Sequence, residues 1–161
     1  MLFRSKYDTL YRPGTHTTRL VSFIDLLPTV LNLTETDLAA KTPGRSFFAP
    51  ETESHSFLFG FRDRMDERID SARAVRDERF MYIRNFTPDK PQGAYLDYMF
   101  QTPTTKEWKS LFTQNQLTAT QRAFWLPKPV EELYDMSKDP YQVDNIADHS
   151  EMVEIKGKLA N

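Results

Sequence analysis

The sequence predicts an α+β fold: a small antiparallel sheet with helices packed on it. Three observations carry this. "SFLFGF" (56–61) is a short continuous apolar run of strand type, and "ARAVRDERFMYIRNF" (72–86) reads as a hairpin turning at Asp77-Glu78. "SFIDLLPTVLNLT" (22–34) has helical patterning, and so do segments after residue 104. The order of elements is a buried helix, a long connection, strands, helices, one strand and a last helix, which reads as α+β.

Taken in order, residues 1–19 are polar and irregular, with a turn at Pro13-Gly14. The first helix has Ser22 as N-cap. Phe23, Ile24, Leu27, Val30, Leu31 and Leu33 cover more than one face, so the helix is expected to be largely buried. Pro28 kinks it or marks a start just before itself. Residues 34–54 form a polar connection, and the strand and hairpin follow. After the loop "TPDKPQG" and the aromatic stretch "AYLDYMF" comes a helix capped by Thr104 or Thr105, then a short one in "TATQRAFW". "VEELYDM" is a closing strand, Asp139-Pro140 a turn, and 151–159 an amphipathic helix. The first helix has little before it to bury its apolar surface, as expected of a piece of a larger core.

Composition narrows the function classes. With 161 residues and 39% hydrophobic content the chain can build one real core. A net charge of -2 provides no field for nucleic acid or an anionic membrane, and no stretch approaches a membrane span. There is no cysteine, hence no disulfide, thiolate metal site or cysteine nucleophile in these residues. His16, His55 and His149 share no metal-ligand spacing, and His16 and His55 have no partner visible in the sequence. Between Arg62 and Arg84 lie seven arginines, six acids and no lysine. Arginine offers a planar fork for two parallel hydrogen bonds to sulfate or carboxylate oxygens, which lysine cannot match.

"RLVSFIDLLPTVLNL", "GRSFF", "FGFRDRMDER", "RAVRDERFMYIRN" and "PVEELYDMSKDPYQVDNIAD" occur here in an order and spacing that resemble the C-terminal third of sulfatases. Sulfatases belong to the alkaline-phosphatase-like superfamily, and the likeness is to the branch of heparan N-sulfatase (N-sulfoglucosamine sulfohydrolase) and its bacterial relatives. It runs from about Tyr11 to the end. The resemblance implies that residues 1–54 are the tail of an α/β catalytic domain and its connection, and that 55–161 form the C-terminal subdomain. It implies hydrolysis of sulfate esters or sulfamates of a sulfated saccharide by a formylglycine hydrate beside a divalent cation, usually calcium. Both groups are expected in a full-length parent and neither in this chain, which lacks the S-x-P-S-R run and the acidic metal motifs. The missing N-terminal catalytic domain would hold them. Parents of this kind are often periplasmic or secreted.

The resemblance also sets the "FGFRDRMDER" segment at a strand end facing the substrate pocket. Arg62, Asp63, Arg64, Asp66 and Glu67 are therefore the substrate-binding candidates, and no residue is assigned as catalytic or metal-binding. The heparan N-sulfatase branch carries His-His-Glu where this chain has Met65-Asp66-Glu67, so Glu67 matches while Met65 and Asp66 depart. The plainer alternative is a solvated loop of internal salt bridges, each contributing little. Arg73, Arg76, Arg79 and Arg84 are expected on a solvent face or paired with Asp77 and Glu78. Asp25 is expected to cap its helix, Asp135 or Asp139 to close Asx-type turns, and most aromatics to be core. Alternatives for the whole chain are a non-catalytic carbohydrate- or anion-binding module, or a truncated product that does not fold stably.

Overall fold

The computed structural model describes residues 16–36, 42–48 and 52–161. The expected turn at Pro13-Gly14 and parts of the 34–54 connection lie outside them. The chain divides into two compact units, 1–58 and 59–161.

The first unit is organised by a short helical segment. Ser22 and Asp25 form a reciprocal capping box around a 3-10 turn, Phe23–Asp25, which leads into α1, Leu26–Leu33. The regular helix thus begins just ahead of Pro28, where a missing N–H costs nothing. Its burial is inverted relative to expectation. Asp25 and Thr29 are buried, while Phe23 is 88% exposed and Ile24, Leu27 and Val30 are each more than half exposed. The polar side is covered because loop 44–48 lies on it. Asp25 accepts from the Arg45 N–H and Thr29 Oγ1 from the Phe47 N–H.

The second unit is built on a four-stranded sheet of order β1–β2–β3–β4: Leu58–Met65, Arg68–Arg76, Phe80–Asn85 and Glu131–Asp135. The charged residues after Phe61 do not lie beyond the strand, as the sequence suggested. They are its second half, and the chain reverses at Asp66-Glu67, with Asp66 at φ 52°. The second reversal falls at Asp77, whose carboxylate accepts from the N–H groups of Arg79 and Phe80.

The antiparallel register Ala72↔Asn85, Ala74↔Ile83 and Ile83↔Glu132 sets these residues on one sheet face. The other face carries Val75, Tyr82 and Leu133, and α5, Val153–Ala160, packs against β2 and β3. Leu133 and Ala147 are almost fully buried there.

Between β3 and β4 run α2 (Asp97–Phe100), α3 (Pro103–Thr113) and α4 (Ala119–Ala123). The cap of α3 is Thr102, because Pro103 takes the first helical position. The expected caps Thr104 and Thr105 lie inside the helix. Thr118 caps α4 in a box with Gln121. Trp125 sits at the centre of a ring cluster with Phe100, Trp108, Phe112 and Phe124, centroids 5.1 to 6.1 Å away. No helix of the described residues is long and apolar enough to cross a membrane.

Candidate functional site

The β1–β2 hairpin carries all five candidate residues, but strand alternation sends them to different places. Arg62 Nη2 lies 2.6 Å from Asp70 Oδ2. The other oxygen of Asp70 accepts from Lys128 Nζ and, at 3.1 Å, from Thr87 Oγ1. Burial of Asp70 works against its ionisation. The ammonium, guanidinium and hydroxyl outweigh it and hold the carboxyl below the usual carboxylate range. Lys128 is itself buried, so this is a desolvated ion cluster and not a surface pair.

Asp63 projects elsewhere, to Arg73 Nη1 at 2.7 Å and Ser71 Oγ at 3.1 Å. The Arg73 guanidinium lowers its pKa, and its exposure leaves that pair well screened by solvent. Arg73 also lies 6.0 Å from the ring of exposed Phe61.

Arg64, Asp66 and Glu67 form the exposed hairpin tip. The one side-chain bond of Arg64 runs from Nε to Asp66 O at 3.4 Å, and Glu67 has no ion pair among the described residues. Next to the tip, Arg68 Nε donates to Tyr95 O at 2.8 Å, which ties the hairpin to the loop ahead of α2. Of the remaining arginines, Arg73 and Arg79 are exposed, as expected of a solvent face, and each pairs with an acid other than Asp77 or Glu78. Arg73 pairs with Asp63, and Arg79 pairs with Asp135 across the β3–β4 register. Asp135 also accepts from Ser137, and Asp139 from the N–H groups of Val143 and Asp144, so both close turns as expected.

Behind Arg62 the sheet face opens into a cleft of about 220 Å³ whose lining includes Gly60, Ala74, Asn85, Gln92 and Glu132. Glu132 is buried and accepts from Asn85 Nδ2 and the Tyr134 hydroxyl, at 2.5 and 2.6 Å. Sequence reasoning passed over Asn85, Gln92 and Glu132. The available signal was a carboxylate and an amide at in-facing strand positions, which becomes readable only once the β3–β4 register is known. His55 was also passed over. Its Nε2 lies 3.0 Å from both oxygens of Asp25, 30 residues away.

Among the described residues no group of three or more His, Cys, Asp or Glu side chains is arranged to hold a metal ion, and the chain has no cysteine. The described residues therefore offer no site that fits calcium, and the chain has no cysteine from which formylglycine could be made.

No family model matches the chain. It is 35% identical over 149 residues, 88% of its length, to an ulvan-active sulfatase of Formosa agariphila. It is 26% identical over 164 aligned positions to a second ulvan-active sulfatase of the same organism. The chain spans only 25% and 30% of those two proteins. A solved 2-O GAG sulfatase superposes with a TM-score of 0.52 at 21% identity, over 83% of this chain and 22% of that one. That likeness shows a shared fold, consistent with a C-terminal portion.

Proposed function

From its kinship with sulfatases, in which it matches a C-terminal portion, we propose that the chain supplies the substrate-side rim of an enzyme that hydrolyses sulfated saccharides. The nucleophile and the metal ligands come from outside these 161 residues. The observation that carries the reading is the β1–β2 tip. Arg64 there presents a guanidinium with no anionic partner among the described residues, beside Asp66 and Glu67. An unpaired arginine suits a sulfate ester, and carboxylates accept from sugar hydroxyls or an amine. Arg62 and Asp63 act one step back, through the ion clusters that stiffen the hairpin.

The same reading makes residues 1–54 the tail of the catalytic domain. It is supported by the apolar side of α1, where Phe23, Ile24, Leu27 and Val30 stand in water. Sulfated saccharide is the substrate class. An N-sulfoglucosamine type rests on Glu67 alone, and the curated relatives are ulvan-active.

Titration calorimetry with ulvan oligosaccharides before and after desulfation tests the rim. Sulfated material is expected to bind more tightly, and Arg64→Ala to weaken it about tenfold, a loss of ~1.4 kcal/mol. Equal affinity for both materials, unchanged in Arg64→Ala, would overturn the reading.

A further inference from the structure

The geometry points to the sheet-face cleft as a second saccharide subsite, one that holds an uncharged ring next to the sulfated unit. The assignment rests on the saccharide reading above and goes beyond it in both place and chemistry.

Charge is the first argument. Arg62 and Lys128 share Asp70, and Glu132 adds one further carboxylate. Two cations thus stand against two anions around the cleft, and no net positive charge is left for a sulfate group. An anion entering here would meet Glu132, a buried carboxylate with no cationic partner among the described residues. The cleft therefore discriminates against charge, whereas the hairpin tip invites it.

Polar capacity is the second. Asn85 uses Nδ2 on Pro129 O and Glu132, which leaves Oδ1 to accept. Arg62 Nε is buried with no hydrogen-bond partner, so the guanidinium is incompletely satisfied by Asp70. Gln92 adds an exposed amide that both donates and accepts. Hydroxyl groups, each donor and acceptor at once, match such a mixed set.

Shape is the third. Gly60, Ala72, Ala74 and Ile83 make a shallow apolar floor. A pyranose presents just this combination of C–H faces and a hydroxylated rim. At about 220 Å³ the space is below the usual range of ~300–1,000 Å³ for drug-sized ligands and is matched to a single ring.

The test uses the ¹⁵N-labelled full chain, titrated separately with ulvan oligosaccharide, the same material after desulfation, and inorganic sulfate. Both oligosaccharides are expected to shift the amides of Gly60, Ala74, Asn85 and Gln92, and sulfate alone to leave them in place. Ala74→Leu fills the floor and is expected to weaken the desulfated oligosaccharide about tenfold. Should that variant not fold, Gln92→Ala at an exposed position is expected to weaken it at least about threefold, the loss of one hydrogen bond. Cleft shifts with inorganic sulfate, or none with desulfated sugar, overturn the subsite. If sulfated sugar moves only the amides of Arg64 to Glu67, the rim stands and the cleft falls. If it moves neither set, both fall.

Discussion

His55 Nε2 sits 3.0 Å from each carboxylate oxygen of Asp25, a residue that is 1% exposed. The same carboxylate accepts from the backbone N–H groups of Ser22 and Arg45. One side chain thus closes the helix N-terminus, pins the 44–48 loop and fixes an imidazole.

Asp25 is the acid-sensitive point of the first unit. Burial opposes its ionisation, but the Arg45 and Ser22 N–H groups and His55 hold its pKa below the ordinary 3.8. A depressed carboxylate stabilises the fold above its unfolded pKa, and that contribution disappears as pH falls through the folded value. The protection factors of the Ser22 and Arg45 amides, which correct for the pH dependence of intrinsic exchange, are expected to be high at pH 6 and to fall below about pH 4. Asp25→Ala is expected to abolish the protection at every pH, at a cost of ~2–4 kcal/mol for three orphaned donors. Protection factors that do not change between pH 6 and pH 3 would refute the clasp.

Gly44 is irreplaceable for a reason that has nothing to do with turn conformation. A Cβ there would sit 2.0 Å from the Ile24 carbonyl oxygen, a backbone atom that cannot step aside. Gly44→Ala is expected to lift the 44–48 loop from α1 and release the Arg45 N–H from Asp25, with a loss of ~2 kcal/mol or more. The Arg45 amide shift measures it, and an unmoved resonance would count against the close approach.

In the ion cluster behind the hairpin, the two single substitutions are expected to differ. Asp70→Ala strands Lys128, 3% exposed, without its anion, for ~3–5 kcal/mol. Lys128→Met leaves Asp70 still facing Arg62 and is expected to cost less than half of that. Urea denaturation of both variants, followed by tryptophan fluorescence, ranks them, and equal losses would mean that Arg62 contributes nothing to Asp70.

Gly93 lies under Trp125, where a Cβ would stand 2.5 Å from the indole ring. Gly93→Ala is expected to tilt Trp125 within its ring cluster, altering the near-ultraviolet circular dichroism and lowering stability by ~1–3 kcal/mol. A wild-type near-ultraviolet spectrum would exclude this.

How much of this was legible depended on how far each partner lies along the chain. The sheet and the helices announced themselves through local apolar runs, and the Asp77 turn through its acid. The second half of β1 did not, because "RDRM" has no apolar alternation and is paired only through its backbone to β2. Thr102 was legible in principle, since a proline just inside a helix puts its cap one residue earlier. His55–Asp25, Arg79–Asp135 and Asn85–Glu132 join residues 30, 56 and 47 positions apart, and nothing local marks them. Of the candidate site residues, the cluster was visible as charge. That alternation sends Arg62 and Asp63 to different partners, and leaves Arg64 without one, required the register.

The inverted burial of α1 carries a practical consequence for handling the isolated chain. Phe23, Ile24, Leu27 and Val30 form a sticky ridge whose self-association grows with concentration, while neither unit need unfold for it to act. Colloidal behaviour, more than melting temperature, will set how much of this polypeptide a solution holds.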